Sequence, residues 1–300
     1  MTNDNRSAYQ VHVLSFIKSF IDDLTQLPDY STLDSGTQNN VKSFLAIPGD
    51  CWTQPHIDTL KQLKDDKAFV SMMAYNKSSS IRGCLSTNVI AVMESVCSQS
   101  ADSYVVSDKE LYNLRIRTTG IIELSYEMDD AKYSVFDVGG TRNERSKWIH
   151  CFDKYIHGVF FCVSLVGYLH NLYEDDTIKD FNESCDLFQA IVSSRFFSHT
   201  TFVLVMTKLD IFEKEIQNRP EKFKDFFPDY QGSMNAYDCG VHMVNVMCSK
   251  LENRGVIHVL FASLTEENPN LIPHLLRQIP STNKQTTEED YKSPTTIRPF

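Results

Sequence analysis

Residues 136–148 read Phe-Asp-Val-Gly-Gly-Thr-Arg-Asn-Glu-Arg-Ser-Lys-Trp, and this stretch decides the fold. An apolar run from Tyr133 to Phe136 leads into Asp137 and then a pair of glycines. A carboxylate at a strand end can reach a magnesium ion through water. Gly139 and Gly140 carry no side chain, so backbone N–H groups there can approach a phosphate. The charged residues that follow, up to Trp148, fall in an amphipathic helix expected over 142–152.

Two further segments stand in register with this one. Upstream lies Leu114-Arg115-Ile116-Arg117-Thr118-Thr119-Gly120-Ile121. Downstream, the apolar run Val203-Leu204-Val205-Met206 leads into Thr207-Lys208-Leu209-Asp210. In this order the three segments resemble switch I, switch II and the guanine-reading motif of a heterotrimeric G-protein alpha subunit. The resemblance covers about residues 9 to 279.

The resemblance implies a set of roles. Arg115 would neutralise charge on the transferred phosphoryl group, with Leu114, Ile116, Arg117 and Thr118 lining the nucleotide beside it. Thr118 and Asp137 would hold Mg2+, and Val138, Gly139 and Gly140 would face the phosphates of GTP or GDP. Thr207, Lys208 and Asp210 would read the guanine, with Ala262 offering a backbone N–H from Leu260-Phe261-Ala262-Ser263. Arg142, Glu144, Arg145, Lys147 and Trp148 would form the helix face that alternates between effectors and the beta-gamma dimer. Glu174-Asp175-Asp176 matches an acidic switch III loop, and His150-Cys151 falls in a structural stretch of the switch II helix.

The sequence departs from the family in three places. No G-x-x-x-x-G-K-[ST] phosphate loop occurs in the 300 residues, which contain only 11 glycines. Thr141 stands at the catalytic position, where the family places the glutamine that orients the attacking water; threonine has no amide and is too short. Pro269, Pro273 and Pro280 interrupt the stretch corresponding to the long receptor-facing helix. The 300 residues are therefore expected to be deficient in nucleotide binding and hydrolysis, and receptor coupling by the family mode is not expected. Three readings remain open here: an alpha-type signalling GTPase represented in part, a nucleotide-free interaction module using the switch II face, or a decayed copy.

The rest of the chain sets the architecture. Val13, Ile17, Phe20 and Leu24 repeat at helical spacing, and further helical patterns fall at 39–46, 55–63, 66–75 and, after Ser86-Thr87-Asn88, at 89–96. Beyond residue 115, β-branched and aromatic runs at 121–128, 132–136, 158–165, 201–206 and 256–262 alternate with helical segments, one carrying Ile178, Phe181, Cys185, Phe188 and Val192, another near 240–252. The expected fold is an all-helical domain at 1–110, then an incomplete α/β domain at 111–280, then a disordered polar tail at 281–300. By resemblance the second domain is a Ras-like P-loop GTPase parallel sheet lacking its first strand. With a family strand order of 2-3-1-4-5-6, that loss would leave two strands beside a gap.

Composition closes off other classes. The net charge of −10 argues against nucleic acid as a partner. The eight cysteines are scattered without a C-x-x-C pair, as suits reduced thiols. No apolar run reaches the roughly 18 residues of a membrane span. The expected location is cytoplasmic, with contact to the inner face of the plasma membrane through partners.

Overall fold

The computed structural model describes residues 3–75, 86–114, 118–152, 156–172, 174–175, 177–251, 256–263, 271–279 and 296–299. The chain divides into two compact units, Met1–Ile116 with Leu169–Thr177, and Arg117–Tyr168 with Ile178–Phe300. The first boundary falls six residues after the expected one, and the loop at 169–177 groups with the helical unit. Among the described residues, no helix is long and apolar enough to cross a membrane.

The first unit is helical throughout: α1 (Asn3–Leu24), α2 (Ser35–Ala46), α3 (Gln54–Asp65), α4 (Lys67–Tyr75), α5 (Ser86–Cys97) and α6 (Asp108–Asn113). Val13, Ile17, Phe20 and Leu24 are buried as their spacing requires, with Phe44, Ile57, Leu60 and Phe69 around them. Helix ends are closed by side chains. The Asp34 carboxylate accepts from Gly36 and Thr37 at the start of α2. Ser107 and Glu110 form a reciprocal box at α6, and the buried Glu110 also accepts the Tyr104 hydroxyl at 2.7 Å. The orphan N–H groups of these helices are thus satisfied within a few residues of where they arise.

The second unit contains two sheets. One is a hairpin of β1 (Ile121–Met128) and β2 (Ala131–Val138), with register Met128↔Ala131 through Ile121↔Val138. Its two-residue turn, Asp129-Asp130, has both φ angles positive, at 52° and 61°, the form whose twist matches paired strands. Such a turn makes Met128↔Ala131 a hydrogen-bonded pair. Alternation then points the backbone groups of Lys132, Ser134 and Val138 away from β1.

The other sheet has order β3-β4-β5-β6, all parallel: β3 (Gly158–Ser164), β4 (Thr201–Thr207), β5 (Val256–Ala262) and β6 (Thr296–Pro299). Helix α9 (Asp180–Val192) covers one face, where Phe188 meets Phe161 and Phe202. Helix α13 (Leu271–Arg277) covers the other, where Leu275 joins Val203, Val205 and Phe160. Between two apolar layers, β4 reads Phe-Val-Leu-Val-Met and is buried along its length. Helix α12 (Ala236–Cys248) touches α9 through Gln189, whose amide donates to the Met247 carbonyl at 3.3 Å.

β2 and β3 do not pair, so the expected gap is present: the hairpin and the parallel sheet are separate. They are joined through a helical stretch made of α7 (Arg142–Arg145), a 3-10 turn at Ser146–Trp148 and α8 (Ile149–Phe152).

Pro273 is the third residue of the seven-residue α13, in the first turn, where a missing N–H costs nothing; Pro269 and Pro280 lie outside the described residues. One expectation needs correction, and one pair of helices was not anticipated. Within the supposedly disordered tail, residues 296–299 form β6 beside β5; residues 280–295 lie outside the described residues. The helices α10 (Leu209–Asn218) and α11 (Pro220–Phe226) had no counterpart in the sequence reading. They bury Phe212, Ile216 and Phe223 against Tyr168 and Phe227.

Candidate functional site

Asp137 lies one residue before the end of β2, while Thr207 and Ala262 end β4 and β5 in the parallel sheet. At the end of β2, the Thr118 hydroxyl lies 3.4 Å from an Asp137 carboxylate oxygen. The two expected magnesium ligands are thus together, 19 residues apart in sequence. Among the described residues, no group of three or more acidic, His or Cys side chains could hold a metal ion alone. One hydroxyl and one carboxylate suit a magnesium ion that draws its remaining oxygens from water and phosphate.

The two glycines have different tasks. Gly139 is buried, and a Cβ there would sit 2.7 Å from the Thr118 carbonyl oxygen and 2.7 Å from Glu144 Cγ. Its N–H donates to the Gly120 carbonyl at 3.2 Å, so it is committed to the fold rather than to a phosphate. Gly140 is exposed with open space around it and remains the phosphate-facing candidate. Val138 closes the hairpin opposite Ile121.

Thr141 starts α7, its carbonyl accepting the Glu144 and Arg145 N–H groups at 2.9 and 3.2 Å. Arg142 forks onto Glu183 with bonds of 3.2 and 2.8 Å, and Arg145 adds a third at 2.6 Å while donating to the Gly140 carbonyl at 3.1 Å. The Arg142 hydrogen bond, reinforced by Arg145, holds the Glu183 carboxyl down to about 2 against its partial burial. Glu183 lies in the first turn of α9, so this cluster ties the segment after β2 to the helix covering β3. Sequence reading missed Glu183, whose only signal was an acidic residue in a helix first turn.

Of the residues expected to face a partner after β2, not all are exposed. Glu144 is buried and accepts from the Gly120 N–H at 2.7 Å and from Lys147 at 2.6 Å, so it does not face a partner. Trp148 donates its indole N–H to the Gly139 carbonyl at 2.9 Å and is half-buried. Ile149, which the sequence reading passed over, is 47% exposed beside it.

The register Thr207↔Ala262 sets two of the residues expected to read a base side by side. The Thr207 hydroxyl bonds the Val163 carbonyl at 3.0 Å, so it joins strands rather than facing a ligand. Lys208 adopts the left-handed conformation at φ 63° and opens α10, which carries Asp210 in its first turn. Ser263, also missed, donates to Asp210 at 2.8 Å and fixes that carboxylate. Ala262 is buried at the strand end. Leu114 packs against the helical core and ends α6. Arg115, Ile116 and Arg117 lie outside the described residues.

A carboxylate and a hydroxyl at the end of β2, a Thr-Lys-Leu-Asp turn after β4 and a helical segment after a Gly-Gly pair follow one another in the order found in a P-loop GTPase-type fold. The family model for the G-protein alpha subunit matches residues 2–279, so the chain belongs to that family. It is similar to the guanine nucleotide-binding protein alpha-9 subunit of Dictyostelium discoideum, at 39% identity over 170 residues, 56% of this chain and 48% of the relative. It is also similar to an alpha subunit of Coprinellus congregatus, at 33% over 65% of this chain and 54% of the relative. The alpha-4 subunit of Caenorhabditis elegans matches at 42% over 45% of this chain and 37% of the relative. The chain spans about half the length of the curated relatives it matches.

Proposed function

We propose that this chain is an alpha-subunit-type signal transducer whose 300 residues carry the partner-facing switch region and a base-reading corner, without the phosphate-holding loop that would make them bind GTP or GDP tightly. The observation that carries this reading is the Arg142/Arg145–Glu183 cluster. It ties the segment after β2 to α9 and leaves Lys147, Trp148 and Ile149 at least partly exposed for a partner. The partner proposed for that face is a beta-gamma dimer, through which the protein would reach the inner face of the plasma membrane. Receptor and effector contacts belong to the same proposal at the level of the family.

For nucleotide, the residues present would do little more than orient it. Asp137 and Thr118 fit a magnesium ion bound with a phosphate, Gly140 offers one open backbone position, and Asp210 fits a base N–H. A triphosphate usually takes several backbone donors and a lysine. Thr141 supplies no amide to align water, so hydrolysis would stay negligible even with a phosphate-loop segment fused on.

Two measurements test the proposal. Titration of a fluorescent GTP analogue with magnesium should give no saturation in the micromolar range; tight saturable binding would overturn the nucleotide part. Immobilised beta-gamma dimer should retain the purified chain, and Ile149→Asp should abolish retention while leaving the melting curve unchanged. Equal retention of both proteins would remove the switch II face as the docking surface.

A further inference from the structure

His56 lies inside the helical core with no exposed surface, at the third position of α3. Its Nδ1 stands 3.3 Å from the Thr53 backbone nitrogen and 2.7 Å from the Thr53 hydroxyl, closing the start of the helix. A backbone N–H can only donate, so Nδ1 accepts and the ring proton sits on Nε2. Among the described residues, neither Nε2 nor the indole Nε1 of the buried Trp52 has a hydrogen-bond partner. The two rings meet edge to face, 6.0 Å apart. Around them, α1 brings the Lys18 ammonium, which donates to the Ile47 carbonyl at 2.6 Å. From α2 comes Phe44, edge-on to His56 at 6.0 Å. Tyr104 packs on Trp52, and its hydroxyl goes to Glu110, a carboxylate that Ser107 also engages. On α3 itself, Asp58 is exposed and takes the Gln54 amide at 2.8 Å, while Lys61 and Lys64 lie toward Cys97 of α5. At the start of α4, Asp66 accepts the Ala68 and Phe69 N–H groups. None of these contacts gives His56 a carboxylate. Burial first, then the Lys18 charge, holds the ring below its ordinary 6.5, and the Ile47 carbonyl offsets them only in part.

We infer that the start of α3 is an acid-operated latch, closed while His56 is neutral and opened by a proton that turns the ring out and releases Trp52 to water. A proton on Nδ1 makes a donor of the atom that accepts from Thr53, so the cap can no longer form. It also sets a second positive charge in the core beside Lys18, with no carboxylate to compensate it. Both conflicts are relieved when the ring swings to solvent. Trp52 rests against that ring and its indole N–H is already without an acceptor, so it has little to hold it in place. The ring packs on α2 and feels the charge of α1, so opening loosens the junction of the first three helices. A histidine held below its unfolded value binds its proton more readily when released. The latch is therefore fully closed above about 6.5 and loses stability as pH falls below that value.

The test uses the full chain carrying Trp148→Phe, which leaves Trp52 as its single tryptophan. Acrylamide quenching of Trp52 fluorescence should increase as pH falls from neutral through 6.5. For one proton, the open-to-closed ratio should rise by up to about tenfold per pH unit. His56→Gln keeps an acceptor for the Thr53 N–H, as in an ordinary capping box, and should stay closed over the whole range. Lys18→Met removes the neighbouring charge, so the ring titrates closer to 6.5 and the acid response should be less steep. In the unmodified chain, the ring C–H signal missing from His56→Gln should titrate below 6.5 by NMR, which decides the matter if Trp148→Phe does not fold. The inference is overturned if Trp52 stays equally shielded through that range, if the His56 ring titrates at or above 6.5, or if His56→Gln opens with acid as the parent does. The last outcome would place the proton on another group, such as His12 of α1. No nucleotide or beta-gamma dimer enters the readout, so its failure is separate from failure of the proposed signalling role.

Discussion

The helical unit and the α/β unit meet the same requirement, that every backbone polar group find a partner, by opposite routes. In the helices of the first unit the backbone bonds run within each helix, and the starts of α2 and α6 are closed by the neighbouring Asp34 and the Ser107–Glu110 box. In the α/β unit each strand depends on whichever strand lies beside it. β4, flanked on both sides, is buried throughout, whereas β3 is only partly covered along most of its length and Ile122, Leu124 and Tyr126 of β1 are exposed. A helix is self-sufficient in hydrogen bonds and a strand is not, so a gap in a sheet propagates to its neighbours while a helical domain confines it.

Amide exchange should show the largest contrast. The outward-facing N–H groups of Phe160 and Cys162 should exchange about a thousandfold faster than those of Ile17 and Phe20. The inward-facing Phe161 and Val163 should fall between. Uniform protection along β3, equal to that of α1, would break the comparison.

Core truncation comes next. Phe44→Ala, at a fully buried site in the helical unit, should cost about 3–5 kcal/mol in urea unfolding. Leu124→Ala, 55% exposed on the hairpin, should cost about 0.5 kcal/mol or less. Similar losses would mean that the hairpin face is covered in solution. Gly139→Ala should cost roughly 1–3 kcal/mol, because a methyl group there meets the Thr118 backbone, which cannot swing aside as a side chain can. A neutral result would show that the loop after β2 is looser than described.

The smallest expected effect is electrostatic. Glu183 is depressed from 4.5 to about 2 when folded, first by Arg142. A depressed carboxyl contributes stability above its unfolded pKa, and that contribution is lost as pH falls from about 4.5 through about 2. With Arg142 partly in water, the amount is about 1 kcal/mol. Glu183→Gln should flatten the pH dependence of the α/β transition in that window and leave the helical transition unchanged. An unaltered slope would show that the pair contributes nothing measurable.

What was legible in the sequence follows the same division. Val13, Ile17, Phe20 and Leu24 announced α1 because helical burial repeats locally, and the strand runs were visible as short apolar blocks. The split between β2 and β3 could be anticipated only through the family's strand order, which the resemblance supplied. The α10–α11 pair was not legible: only Phe212, Ile216 and Phe223 face inward there, and Pro220 reads as a breaker although it opens α11. β6 was hidden because Thr296 to Pro299 pairs with a strand some 40 residues earlier and has no apolar pattern of its own. At the site, Asp137, Thr118, Asp210 and Ala262 were found in register with the motifs. Glu183, Ser263 and the inward turn of Glu144 depend on neighbours distant in sequence, and no local spacing encodes them.

The tie between Arg142, Arg145 and Glu183 has a mechanical meaning. A hairpin anchored by a ladder of amide bonds moves with its sheet whatever the solvent. Here the described link from the segment after β2 to α9 is a cluster of charges, two of them partly in water, and dissolved salt weakens such attraction over a Debye length of about 8 Å at physiological strength. The contacts are direct, at 2.6–2.8 Å, and the Glu183 side chain is only 15% exposed, so salt should loosen this link only in part.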